Sequence, residues 1–444
     1  MMNNEIKKIG VGECTSLLVG GMIGSAIFSL SGLTMLQAGP ASVLTWIIAA
    51  AIMLIYGMLM AELSGVYPKS GGVYVFPRKA FGGKKGKFWG WISCWGYLLG
   101  NFSAVAFAAI YVGTYLSVAF PWAANMQIPL AIVSIVICML LNVIQFNTTG
   151  KINNILVTFL IITMAIYIIV AFFSGQYDSS LLIPFFSQGV SGKFGFLSAV
   201  PTAMVGYGGV VAIAFMVSEV KDPNRTVPKS MLIAMSIVVG IYVLIILSTL
   251  GLITAGFLTE NPGMQFIPLF AACFTKLSGI PWLSAVVSIS AVLALMTTML
   301  VCISLNARAT QAASEDGILP EFLGRNNKAG VPAIAAGVTS LISAVIAFFP
   351  QFTSEIVNFG AIFSVITIVI NIAALIVARK KEKYPDDCFH APGGNVLPIL
   401  ALCLLIICNV SGVLTGGAKM WIWTAAFVVI GILIFNLSKA GKEK

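Results

Sequence analysis

Charge is the scarcest property of this 444-residue chain: Asp, Glu, Lys and Arg make up only 9% of it, against roughly 25% in a soluble globular domain. With 59% hydrophobic residues and a mean hydropathy of +1.00, a water-soluble fold is excluded. There is a single histidine, His390, so His-dependent triads and multi-His metal sites are excluded by count. The eight cysteines contain no Cys-x-x-Cys or other metal-ligand spacing, and free thiols with no metal and no cofactor are expected. No Gly-x-x-x-x-Gly-Lys-Ser/Thr loop exists, which removes ATP-driven pumping of that kind. The polar first 13 residues lack the short apolar core and cleavage site of a secretory leader.

What is present is apolar and long. Charge-free stretches, divided where Pro and Gly turns interrupt them, predict an all-α polytopic membrane protein with 12 transmembrane helices. The spans fall at about 14–37, 41–66, 88–117, 128–147, 152–174, 196–219, 228–254, 282–308, 332–350, 355–378, 397–415 and 420–437. Each is near the ~20 residues that cross a hydrocarbon core. Alternating the loops puts 22 of the 25 Lys and Arg on one side and leaves Lys193, Lys276 and Lys419 on the other. That asymmetry predicts cytoplasmic termini, 1–13 and 438–444, in a cell membrane. It assigns the net charge of +10 to topology and to contact with the lipid bilayer, with no nucleic acid partner. Trp89, Trp91, Trp95, Trp421 and Trp423 lie near span ends and read as interface anchors. Lipid-facing and subunit-facing apolar surfaces look alike in sequence, so a homodimer is admitted without being singled out.

Two spans are unusual for glycine. Span 1 carries Gly20-Gly21-Met22-Ile23-Gly24-Ser25-Ala26-Ile27, and span 6 carries Val205-Gly206-Tyr207-Gly208-Gly209. If spans 1–5 (14–174) and 6–10 (196–378) are two halves, these clusters open them at matching positions. Five crossings is an odd number, so the second half is inverted. Spans 11 and 12 (397–437) follow. Glycine-interrupted helices in corresponding places point to a transporter's midplane site, although glycine also serves close packing in membrane helices. A helix restarting near Ser25 offers the amides of Ser25, Ala26 and Ile27 to a carboxylate. Carbonyls near Ile23, Val205 and Gly208 would suit an ammonium group. Together they fit an amino acid, or an amine if the carbonyls dominate. No Asp, Glu, Lys, Arg or His lies near the middle of a span, which argues against a side-chain proton relay or a charged pore ring. For Asn101, Thr297, Thr298, Ser304 and Asn371, hydrogen bonding between helices is the simpler explanation of each taken singly.

Four motifs in order carry a family resemblance. They are Gly24-Ser25-Ala26-Ile27-Phe28, then Glu62-Leu63 through Tyr67-Pro68-Lys69-Ser70-Gly71-Gly72-Val73-Tyr74, and Glu219-Val220-Lys221-Asp222-Pro223-Asn224-Arg225-Thr226-Val227-Pro228. The last is Asp316-Gly317-Ile318-Leu319-Pro320 with Asn327-Lys328-Ala329-Gly330-Val331-Pro332. The chain resembles the amino acid–polyamine–organocation superfamily over nearly its whole length. The resemblance implies the leucine-transporter fold, a 5+5 inverted repeat plus two C-terminal helices with helices 1 and 6 broken. Span 3 is most similar to the arginine/agmatine antiporter branch, whose Gly-Asn falls on Gly100-Asn101, so Asn101 would face the substrate side chain. Other markers of that branch are replaced. The acidic position of span 6 is Val211, the gating tryptophans are Val205 and Cys302, and the span-5 lysine of some proton-coupled members is Leu160. These departures point to a smaller or more neutral substrate than arginine.

The expectation is a secondary active transporter, not an enzyme. It would carry amino acids or related amines by alternating access, as an antiporter, with a sodium- or proton-coupled symporter as the alternative. A channel or a non-transporting sensor ranks below both. Ile23, Gly24, Ser25, Ala26 and Ile27 with Val205 and Gly208 would bind the backbone of the substrate. Asn101, Tyr207, Val211, Thr298 and Cys302 would shape its side-chain pocket.

Overall fold

A computed structural model describes residues 8–442 except 70, 145, 216, 382–383 and 386–387, and omits the side chains of 146–154, 218 and 409–421. Parts of the expected termini, residues 1–7 and 443–444, and the side chains of Lys419 and Trp421 therefore lie outside the described residues. Among the described residues the protein is built from helices, with one isolated bridge between Ile9 and Val220 and no strand.

The helices are α1 (Val11–Met22), α2 (Ser31–Ala38), α3 (Ser42–Val66), α4 (Gly72–Phe81), α5 (Gly83–Ala119), α6 (Gln127–Ile144) and α7 (Phe146–Phe173). They continue as α8 (Gly195–Ser198), α9 (Val200–Val205), α10 (Pro223–Leu250), α11 (Ala255–Glu260) and α12 (Pro268–Thr275). The last five are α13 (Pro281–Glu315), α14 (Ala333–Ala347), α15 (Thr353–Lys381), α16 (Val396–Leu437) and α17 (Lys439–Lys442). Eight helical stretches, the first of them Val11–Val66, are long and apolar enough to cross a membrane. Their residues are apolar all round, because one side meets lipid and the other meets apolar neighbours. α6 shows that division: Ile135 and Cys138 are buried, while Val133 and Ile137 are exposed.

The expected spans 397–415 and 420–437 fall within α16, whose apolar parts Val396–Cys408 and Ile422–Leu437 lie on either side of residues 409–421. Both ends of α16 lie toward the basic end: Arg379 reaches Gly394, and Phe435 packs on Phe88. Beyond α10, the segment expected to be a loop folds into α11 and α12.

Of the tryptophans expected at the interface, Trp91 is interior instead and Trp95 is half-buried. Trp91 is fully buried and donates its indole N–H to the Gly431 carbonyl at 2.7 Å; Trp95 donates to Phe427 at 2.8 Å. Both fasten α5 to α16, since a buried indole N–H needs an acceptor. Trp89 and Trp423 are exposed.

Ion pairs gather at the end that carries the basic loops. Arg308 meets Glu219 at 2.9 Å, and Arg78 and Tyr74 both bond Asp316. The most buried pair joins α3 to α15: Glu62, at 0% exposure, accepts from Arg379 Nε at 2.8 Å and Nη2 at 2.6 Å. The Tyr384 hydroxyl and the Ala391 amide complete the shell at 2.9 Å each. Burial first, and then the Glu62 charge, raise the Tyr384 hydroxyl and push the Cys388 thiol up to about 11. That leaves Cys388 protonated and unreactive at neutral pH. Removing one partner of a buried pair strands the other charge and costs roughly 3–5 kcal/mol. Arg379→Ala should therefore lower the unfolding midpoint of the purified protein clearly, while Lys380→Ala, at an exposed position, should not. Equal midpoints would deny the Glu62–Arg379 pair a role in holding α3 to α15.

Candidate substrate cavity

The first membrane-crossing stretch is interrupted where the sequence is richest in glycine. α1 ends at Met22, Ile23 turns extended with ψ 90°, and helix resumes at Ser25, passing through a π-helical turn over Ala26–Leu30. The second interruption follows α9: Gly206 and Tyr207 form a turn, and the chain continues as a tighter 3-10 segment over Gly208–Phe215. Glycine serves both purposes weighed from sequence. A side chain at Gly209 would collide with the backbone of Gly21, and one at Gly24 with the Thr298 hydroxyl. The interrupted segments thus cross backbone to backbone. Gly208, by contrast, has nothing within 4 Å of a Cβ and borders open space.

Two hydroxyls hold the interruptions. Tyr242 of α10, fully buried, lies 2.5 Å from the Met22 carbonyl and 3.3 Å from the Gly206 carbonyl, so one phenol bridges both helix ends. Its ring packs edge-on against Trp46 at 5.0 Å and meets Tyr207 at 5.3 Å. Thr298 of α13 accepts from the Ser25 amide at 2.9 Å and donates to the Ala294 carbonyl at 3.1 Å. The Ser25 amide, expected to be open to a ligand carboxylate, is therefore occupied. The correction has a simple cause: an amide facing a helix with a hydroxyl in reach takes that hydroxyl.

A cavity of about 150 Å³ lies between these breaks, walled by α3, α5, α13 and α15 as well. Of the residues expected at the site, Gly24, Ser25, Ala26, Asn101, Val205, Gly208, Val211, Thr298 and Cys302 line it. Ile23, Ile27 and Tyr207 do not. Their side chains are fully buried elsewhere, and the Tyr207 hydroxyl donates to the Trp46 carbonyl at 3.2 Å. Tyr207 thus supports the break and is not part of the pocket wall. Asn101 spends one N–H on the Asn306 side chain at 2.8 Å, one α-helical turn beyond Cys302 toward the basic end. Near it Tyr97 stacks on Phe215 at 5.0 Å.

No Asp, Glu, Lys, Arg or His is among the lining residues. The wall also includes Met53, Tyr56, Tyr97, Gly360 and Ser364, none of them anticipated. Gly360 and Ser364, four apart on α15, face Gly100 closely, and small residues at that spacing were a readable sign of a tight helix contact. Tyr242 was also missed; a phenol in the middle of a charge-free span needs an acceptor, and that was its signal.

An uncharged cavity between two interrupted membrane helices is the arrangement expected of a membrane transport protein. A family description of amino acid permeases matches residues 9–436, and the chain belongs to that family, within the amino acid–polyamine–organocation superfamily. It is 26% identical to the branched-chain amino acid permease BcaP of Bacillus subtilis, over 97% of this chain and 92% of that protein. The Lactococcus lactis protein of the same name is 27% identical over 87% and 85%. The methylthioribose transporter of Bacillus subtilis is 27% identical over 96% and 92%. This chain is accordingly a multi-pass membrane protein of a transporter family.

Two substitutions test the cavity. Leaving buried carbonyls without their donor costs about 1–3 kcal/mol, so Tyr242→Phe should cut substrate uptake about tenfold or more at unchanged membrane insertion; wild-type kinetics would deny Tyr242 a role in positioning the breaks. Ala26→Trp should fill the cavity and abolish substrate binding, measured by ligand-induced thermal stabilisation. Normal binding would place the site elsewhere.

Proposed function

We propose that this protein is a secondary active exchanger of neutral amino acids or small related amines across the cell membrane, with 12 spans, a 5+5 inverted repeat and cytoplasmic termini. The observation that carries this reading is the cavity with no Asp, Glu, Lys, Arg or His among its described lining residues, set between two helix interruptions. In such a site the charges of an amino acid must be met by backbone. The restarting helix leaves Ala26 as the donor at the cavity wall, since first-turn amides lack intrahelical acceptors. The end of α9 offers carbonyls near Val205 to the ammonium group. Val211, Val301, Cys302 and Met53 make the remaining wall apolar, and an arginine side chain would lose its hydration there without a partner. The volume, about 150 Å³, is well below the ~300–1,000 Å³ of sites for drug-sized ligands. The relatives named for branched-chain amino acids agree with a neutral apolar cargo.

Sodium coupling is the second reading: the Thr297 and Thr298 hydroxyls donate to the Ala294 carbonyl, which leaves their oxygens as acceptors. The Thr298 oxygen already takes the Ser25 amide, however, and Thr297 is not among the described lining residues. The deciding measurement is uptake of labelled amino acids and amines into proteoliposomes, with and without internal substrate, sodium and a pH gradient. Uptake that requires internal substrate and is competed best by leucine, isoleucine or valine is expected. Uptake into empty vesicles driven by sodium or protons would overturn the exchange mechanism, and preference for arginine or agmatine would overturn the pocket assignment.

A further inference from the structure

Most polar side chains on the cavity wall are already spent on the protein itself. Asn101 donates to Asn306 at 2.8 Å, Ser103 to the Leu99 carbonyl at 3.2 Å and Thr298 to the Ala294 carbonyl at 3.1 Å. Ser364 donates to the Gly360 carbonyl and Thr367 to the Ser93 carbonyl, each at 2.9 Å. The Tyr97 hydroxyl is in reach of the Asn101 side chain. Among the described residues, two lining hydroxyls have no such partner, those of Ser25 and Tyr56. They stand at different ends of the cavity. Ser25 lies where helix resumes after the first interruption, next to Ala26. Tyr56 comes from the uninterrupted α3 and is only 3% exposed. Its surroundings set it at the end expected for the cargo side chain: Tyr97 interacts with both Tyr56 and Cys302. The adjacent Gly57 packs so tightly on the 3-10 segment that a Cβ there would lie 2.9 Å from Val210. A phenol O–H withdrawn from water and given no acceptor is unfavourable, and a buried tyrosine ordinarily has one.

We infer that Tyr56 is a specificity-determining residue whose hydroxyl donates to a hydroxyl on the cargo side chain, so that threonine is carried beside the branched-chain amino acids. Threonine and valine have nearly the same shape. The apolar wall of Met53, Val211 and Val301 takes the methyl group that they share, and only the other arm differs. Against valine the phenol stays unpaired. Against threonine it gains an acceptor, which offsets the cost of taking the threonine hydroxyl out of water. The inference rests on the reading of the cavity as an amino acid site and adds to it a residue outside the interrupted helices.

The test is titration of threonine and of valine onto the purified full-length protein, read as ligand-induced thermal stabilisation and converted to dissociation constants. The wild type should bind both. A neutral hydrogen bond is worth roughly fivefold in affinity. Tyr56→Phe should therefore weaken threonine relative to valine by about fivefold or more. Its valine binding should stay within about twofold of wild type, which also reports that the variant is folded. Ser25→Ala, at the other unspent hydroxyl, should change both ligands alike. An unchanged threonine-to-valine ratio in Tyr56→Phe would overturn the assignment, as would equal weakening of both ligands or a ratio that moves in Ser25→Ala instead. Valine binding without threonine binding in the wild type would overturn it and leave the proposed function standing. Binding of neither amino acid would remove both.

Discussion

A helix interrupted inside a membrane frees carbonyls and amides that hydrocarbon cannot solvate, and the rest of this structure follows from how those groups are satisfied. Two interruptions face each other, and protein side chains supply the hydrogen bonds that water would have supplied. Tyr242 bridges the carbonyls of Met22 and Gly206, and Thr298 takes the amide of Ser25. Both reach the breaks only because the crossing chains touch at Gly21 and Gly209. The aromatic cluster of Trp46, Tyr207 and Tyr242 then excludes lipid from the polar centre.

The same economy separates charge from cavity. Every described ion pair beside the spans lies toward the basic end, where Glu62, Glu219 and Asp316 meet Arg379, Arg308 and Arg78. The cavity wall carries no formal charge. Its polarity is that of helix ends and hydroxyls, which under the proposed function meet a zwitterion's backbone and leave the side chain to apolar contacts. Helix-end partial charges are strongest where water is scarce, so a small enclosed cavity can use them without a buried carboxylate.

α5 ties these parts into one frame. Its middle forms the cavity wall through Tyr97, Gly100 and Asn101, and its indoles Trp91 and Trp95 hold α16. Its first turn carries Lys84 and Lys85. A helix of 37 residues exceeds what a membrane needs, and the surplus is the part that carries exposed charge.

Composition and spacing by themselves determined the membrane class, the helical architecture and the places where helices 1 and 6 are interrupted. These are properties of local hydropathy and of glycine, and they do not depend on which helix neighbours which. Nine of the twelve candidate residues line one cavity for the same reason: they flank the interruptions or face them at helical spacing. Tertiary structure decided the rest. That Tyr207 turns away to Trp46, that the Ser25 amide is taken by Thr298, and that Trp91 is buried are facts of which helix stands opposite. Glu62 shows the limit most plainly. In sequence it is a charge at the end of a span, and its partner Arg379 is 317 residues away. A carboxylate can be buried only where a cation is delivered to it, and that delivery depends on long-range packing.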